Sequence, residues 1–167
     1  KQLVDDGYVQ VVIGGKRSEI LRQAKQLGIV GFEQRVEFFS AEECGRTHEF
    51  AEKLFDARKR KGVTIEMARQ MVMSDDFAGA YLLDGGEVDG LVVGIGEPYS
   101  HAIVPLLNII GTEKDQILAG VYIMVVGGRL LFLADCTVNR QPSAEALACI
   151  ALQAGHVASH YAREKVR

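Results

Sequence analysis

The residues best placed to do chemistry fall at two polar corners. The first runs through Asp135, Thr137 and Asn139, directly after the apolar run 130–133, and closes with Ser143 and Glu145. Carboxylate, hydroxyl and amide groups at the carboxyl end of a short buried strand lie where open α/β sheets take their ligands. Ser143 suits the cap of the helix that follows, and Glu145 favours its positive end. The same pattern is equally that of a well-made strand-to-helix turn. The second corner follows Glu87, Asp89 and the run 91–93. There Gly94 and Gly96 let the backbone turn closely, and Glu97, Tyr99, Ser100 and His101 supply the polar set. Two such strand ends in one short chain suggest a shared cleft.

Other candidates carry less chemistry. Gly14 and Gly15 end a β-branched run and could receive a phosphate at a helix N-terminus, but they fall short of a dinucleotide fingerprint. His156 and His160 stand four apart on a helix and could share a metal, yet no acidic third ligand is near, so they read as surface or interface histidines. Cys44, Cys136 and Cys149 are odd in number and lack metal spacing, which suits a reducing, cytoplasmic setting better than a disulfide framework.

The elements that must carry these groups follow from periodicity. Residues 9–13 read as a buried parallel strand, 18–27 as a helix stopped by Gly28, and 36–39 as a second strand. Residues 42–60 form a helix with Phe50, Leu54 and Phe55 on one face, ended by Gly62. Thr64 caps the next helix, and Asp75 or Asp76 begins another. Residues 91–93 read as a strand and 103–110 as a helix in which Pro105 sits early enough to be tolerated. Gly127 and Gly128 separate the runs 121–126 and 130–133, which marks an antiparallel hairpin. A long helix spans 143 to about 163. Strand and helix therefore alternate up to residue 113, and a hairpin with one long helix fills 114–167.

Composition narrows the function. A share of 48% hydrophobic and 25% charged residues is that of a folded domain, and a net charge of −3 argues against a nucleic-acid or anionic-membrane surface. The one basic run, Arg58 to Lys61, is short and flanked by acidic helix-forming sequence. No window approaches the roughly 18 apolar residues of a membrane span. The opening at Lys1 and the close at Arg167 read as those of a piece of a longer chain.

Four ordered blocks carry a resemblance. They are Arg58 to Thr64, Gly86 to Gly94, Pro105 to Thr112 and Ala134 to Glu145. Together they resemble the phosphate acetyltransferase and butyryltransferase family, and within it the C-terminal domain of bacterial NADP-dependent malic enzymes. The resemblance implies an isocitrate-dehydrogenase-like, three-layer α/β/α fold with two subdomains flanking a cleft, the first (1–113) lacking its first strand and the second (114–167) truncated. It also implies homo-oligomers joined through the second subdomain and binding of a coenzyme A thioester. The family's catalytic serine, arginine and aspartate would lie after Arg167, so no catalytic residue falls within the chain.

On the same mapping Arg58 matches a family arginine at the acyl-phosphate site, whereas Val104 replaces a second one and Pro98 and Tyr99 replace a threonine pair. A guanidinium holds phosphate by bidentate hydrogen bonds that valine cannot make. Its loss from a charged transition state costs about 3 kcal/mol, over a hundredfold in rate. The resemblance thus implies a regulatory, non-catalytic domain binding acetyl-CoA as effector, with an N-terminal malic enzyme domain as its partner. NADP and a divalent metal would belong to that N-terminal part. Ligand contacts expected are Arg58, Tyr99, Ser100 and His101 at the acyl end, with Asp135 and Asn139 orienting the neighbouring loop. The alternative is an active phosphate acetyltransferase moving acetyl between coenzyme A and phosphate.

Overall fold

The computed structural model describes residues 2–96, 98–113 and 116–161. The chain divides into two compact units, Lys1–Gly111 and Thr112–Arg167.

In the first unit, helix α1 (Gln2–Asp6) precedes strand β1 (Val11–Gly14), which pairs in parallel with β2 (Val36–Phe39). Parallel pairing requires a crossover, and helix α2 (Arg17–Gln26) provides it. Its end is fixed by Gly28 at φ 67: the Gly28 N–H donates to the Lys25 carbonyl and the Ile29 N–H to that of Ala24. This is the αL closure that favours glycine. β1 is not buried on both sides, as its continuous β-branched run suggested; half-buried and exposed residues alternate along it, and Val12 is 38% exposed.

The core lies among three helices, not under the sheet. Helices α3 (Thr47–Arg58), α4 (Ile65–Met71) and α5 (Asp75–Asp84) enclose Phe50, Leu54, Ala68, Val72, Phe77 and Tyr81. Tyr81 stacks on Phe50 with ring centroids 4.5 Å apart, and its hydroxyl donates to the Phe50 carbonyl at 2.9 Å. Burial, with the Asp84 charge adding to it, pushes the phenol up to about 12, so it stays a neutral donor. Helix α3 starts later than its sequence suggests. Gly45 takes φ 69 and Cys44 bonds back to Ser40 and Ala41, which turns residues 41–45 out of the helix. After α3 a short 3-10 turn (Lys59–Lys61) ends at left-handed Gly62. Thr64 caps α4 by accepting from the Met67 N–H, and α5 begins at Asp75, as its sequence indicates, capped by Ser74.

Residues 91–93 form no strand. Leu91 lies instead against α5, where a Cβ on Gly79 would come within 3.0 Å of it, and Val92 is 87% exposed. Helix α6 (Tyr99–Ile109) then begins four residues earlier than periodicity indicated, so Pro105 stands at its middle. A proline there leaves the His101 carbonyl without its usual helical donor.

In the second unit, β3 (Val121–Val126) and β4 (Arg129–Ala134) form an antiparallel hairpin closed by Gly127 and Gly128, both at positive φ. Both strands remain largely exposed, Leu131 at 48% and Val125 at 73%, so 130–133 is apolar without being buried. Helix α7 (Ala144–Tyr161) packs on β4, with Phe132 and Tyr161 rings 6.3 Å apart. Ser143 caps it, its hydroxyl accepting from the Ala146 N–H at 3.2 Å.

Candidate ligand-binding site

Three of the expected contacts belong to a helix instead of a loop. Tyr99, Ser100 and His101 are the first turn of α6, and the N–H groups of His101 and Ala102 donate to the Pro98 carbonyl. Glu97, the fourth member of that polar set, lies outside the described residues. Ser100 and His101 are exposed, while Tyr99 borders a cavity of about 230 Å³ lined also by Val93, Gly94, Ala102, Ile103 and Leu106. Four of these six lie at i, i+3, i+4 and i+7 on α6, a helical face that begins at Tyr99. A reading that starts the helix at residue 103 misses half of that face. Gly94, at φ 95, brings the chain against α6: a Cβ there would stand 3.2 Å from that of Ala102.

Arg58 is neither a solvated helix charge nor a free clamp. From the last residue of α3 its Nε donates to the Asn108 carbonyl at 2.8 Å, and its Nη2 donates to the Leu107 carbonyl. These are end carbonyls of α6, where a cation meets the negative end of the helix. Asn108 in turn donates its amide to the Val104 carbonyl at 2.9 Å. Two of the five guanidinium N–H donors are thereby spent on the fold. Arg58→Gln should therefore cost about 1–2 kcal/mol of stability with no ligand present, read as a lower urea midpoint. A pure ligand contact would leave that midpoint unchanged.

The corner at Asp135 is closed on itself. Oδ1 accepts from the backbone N–H of Gly120 (3.2 Å) and Val138 (3.1 Å). Oδ2 accepts from the Asn139 N–H (2.8 Å) and from its side-chain amide (2.6 Å), which also donates to the Leu118 carbonyl. Burial alone would raise this carboxyl, but the bonds from Asn139, Gly120 and Val138 outweigh it and hold the group at about 2. A Cβ on Gly120 would come 3.1 Å from the Thr137 hydroxyl, so glycine is what lets the strand approach. Asp135 is thus a brace that stays ionised near neutral pH, poorly suited to proton transfer there, and it holds a loop in which Cys136 and Thr137 are exposed.

The chain matches the family model for phosphate acetyl/butaryl transferase over residues 1–167. It belongs to that family. Among curated relatives it is 31% identical over 161 residues to a phosphate acetyltransferase of Corynebacterium glutamicum, covering 96% of this chain and 48% of the relative. It is 30% identical over 165 residues to one of Clostridium acetobutylicum, covering 94% and 49%. The chain therefore spans about half the length of these two relatives. A solved phosphotransacetylase from Streptococcus pyogenes matches at TM-score 0.77 and 27% identity, covering 90% of this chain and 46% of that one. One from Staphylococcus aureus matches at the same score and 24% identity, covering 96% and 48%, a likeness of fold. The α/β class read from the sequence is the class of these structures.

Within this family member the remaining sequence candidates have structural surroundings. Gly14 and Gly15 face the chain itself: a Cβ on Gly15 would meet Ile20 at 3.3 Å and the Asp75 carboxylate at 3.8 Å. The same carboxylate accepts from the Ala41 N–H at 2.8 Å. An acidic side chain beside the glycine pair does not favour a phosphate there. His156 and His160 are exposed, ring centroids 5.3 Å apart, and no group of three or more metal-ligating side chains occurs among the described residues. All three cysteines are free thiols, and no helix among the described residues is long and apolar enough to cross a membrane.

Proposed function

We propose that this chain is part of a phosphate acetyltransferase that moves an acetyl group between coenzyme A and phosphate. In that reaction a phosphate oxygen attacks the thioester carbonyl, a C–O bond forms as the C–S bond breaks, and the leaving thiolate takes up a proton. The observation that carries the reading is the family match over residues 1–167, together with relatives whose names state that activity. The chain spans about half of these relatives, so turnover is assigned to the whole protein.

The geometry supports roles for the expected contacts. The first turn of α6 carries Tyr99, Ser100 and His101 at the positive end of an 11-residue helix, which attracts developing negative charge. Arg58 braces the other end of the same helix with two of its guanidinium N–H donors. Asp135 and Asn139 act through the loop they hold, since the Asp135 carboxylate and the Asn139 amide NH₂ are engaged within the chain. Association through the second unit is part of the proposal, supported by the exposed apolar side chains of β3 and β4. The free thiols support a reducing, cytoplasmic setting.

A second reading draws on Val104. Without a guanidinium there, a domain that binds acetyl-CoA as an effector, as in a malic enzyme fusion, would bind without turnover. Release of thiol from acetyl-CoA, followed with and without phosphate on the full-length protein carrying this chain, separates the two. Phosphate-dependent release supports the transferase. Calorimetric binding of acetyl-CoA with no release supports the sensor, and neither result leaves both readings overturned.

A further inference from the structure

The acyl-transfer reading gives no part to two imidazoles on one face of α7. His156 and His160 stand four positions apart, about one helical turn and roughly 6 Å along the axis, so they project from the same side. Both are exposed. Spacing alone makes them surface groups; the structure adds a tautomer and a distance.

The tautomer follows from a backbone contact. Nδ1 of His160 lies 3.1 Å from the His156 carbonyl oxygen, which also accepts from the Ser159 hydroxyl at 2.7 Å. A carbonyl can only accept, so Nδ1 carries the proton and Nε2 of the neutral ring keeps its lone pair. A metal-ligating histidine nearly always donates its other ring N–H in this way, because the bond fixes the ring and raises the basicity of the free nitrogen.

The distance agrees. A metal–nitrogen bond of about 2.0–2.1 Å places an ion roughly 3.2 Å from the centroid of each ring. Two rings on one ion then have centroids about 4.5 Å apart at a right angle and about 5.2 Å apart at the tetrahedral angle. The rings of His156 and His160 have centroids 5.3 Å apart. The exposed His156 ring can rotate about its side-chain bonds to bring a nitrogen to the ion that His160 faces.

We propose that His156 and His160 form a chelating site for a divalent transition-metal ion of the nickel, copper and zinc group, for which imidazole is a preferred ligand. The two histidines alone make the chelate; it draws nothing from residues 162–167, which lie outside the described ones. Water fills the remaining positions, and with only two protein ligands the ion is exchangeable. Magnesium, which prefers oxygen donors, is not held. The bound ion ties two successive turns of α7 beside Tyr161, whose ring meets Phe132, and so fastens the helix where it packs on β4.

The test titrates the full-length protein carrying this chain with Ni²⁺ in a calorimeter, nickel being chosen because the exposed Cys136 thiol draws zinc. His156→Gln and His160→Gln should each weaken one Ni²⁺ site per chain about tenfold or more, while Cys136→Ser and an excess of Mg²⁺ leave it unchanged. In the unmodified protein, paramagnetic Ni²⁺ should broaden the ring-proton resonances of His156 and His160 at concentrations that leave those of His48 and His101 sharp. Nickel binding unaltered by either histidine substitution overturns the site, as does broadening of His48 or His101 ahead of the pair. Loss of the same site in Cys136→Ser assigns the ion to the thiol and overturns it too.

Discussion

Replacing Asp135 by alanine is expected to cost about 3 kcal/mol of stability, the loss of four hydrogen bonds to an ionised acceptor after part of it is returned by water. The four partners are all donors: three backbone N–H groups and the Asn139 amide. An acceptor-only group suits that set, whereas an asparagine would point an NH₂ at one pair of them. Asp135→Asn should therefore recover little. The pH dependence follows from the sign of the shift. A carboxyl lowered from 3.8 to about 2 on folding contributes stability that is complete above about pH 5 and is lost as pH falls through 3.8 toward 2. Its size is about 1–2 kcal/mol once solvent screening of a partly exposed group is allowed for. Urea midpoints taken at pH 6, 4, 3 and 2 should show that loss in the unmodified protein and a correspondingly smaller one in Asp135→Asn. Parallel curves for the two proteins would mean that the carboxylate is not what braces the corner.

The same residue shows why part of the site was legible and part was not. Asp135, Asn139 and Ser143 announce a turn and a cap through local chemistry, since short polar side chains bond to backbone within a few residues. The chain bears this out at Ser143 and along the Asp135 loop. The hairpin was legible from turn chemistry: a Gly-Gly pair between two apolar runs supplies the positive φ that a two-residue turn requires. Arg58 was not, because its partners are the end carbonyls of a helix some 50 positions away, and periodicity says nothing of which helix end a cation will find. Nor was the strand expected at 91–93. An apolar run of three is compatible with a strand or with packing on a helix, and Gly79 decides the matter by opening a notch in α5 for Leu91. Exposure of 130–133 lay beyond the sequence as well, because apolar composition states a preference for burial without naming the surface that supplies it.

Restoring a guanidinium by Val104→Arg is expected to raise phosphate-dependent acetyl transfer about a hundredfold, the rate equivalent of about 3 kcal/mol of charge stabilisation. The position can accept it. Val104 is 39% exposed on α6, so a long side chain displaces no core volume, and its carbonyl keeps the bond from Asn108. Arg58 does not already occupy the role, since two of its donors are committed to Leu107 and Asn108 beyond Val104 along the same helix. Val104→Lys should recover less, because an ammonium offers a point charge without the planar fork, and Val104→Met should recover nothing. The gain should appear in kcat/KM for phosphate and shrink as salt screens the new charge. An unmodified protein that already turns over as fast as Val104→Arg would show that Arg58's remaining N–H donors suffice, and that the valine is neutral to transfer. A Val104→Arg protein that binds acetyl-CoA and still releases no thiol would place the deficit elsewhere and favour the sensor.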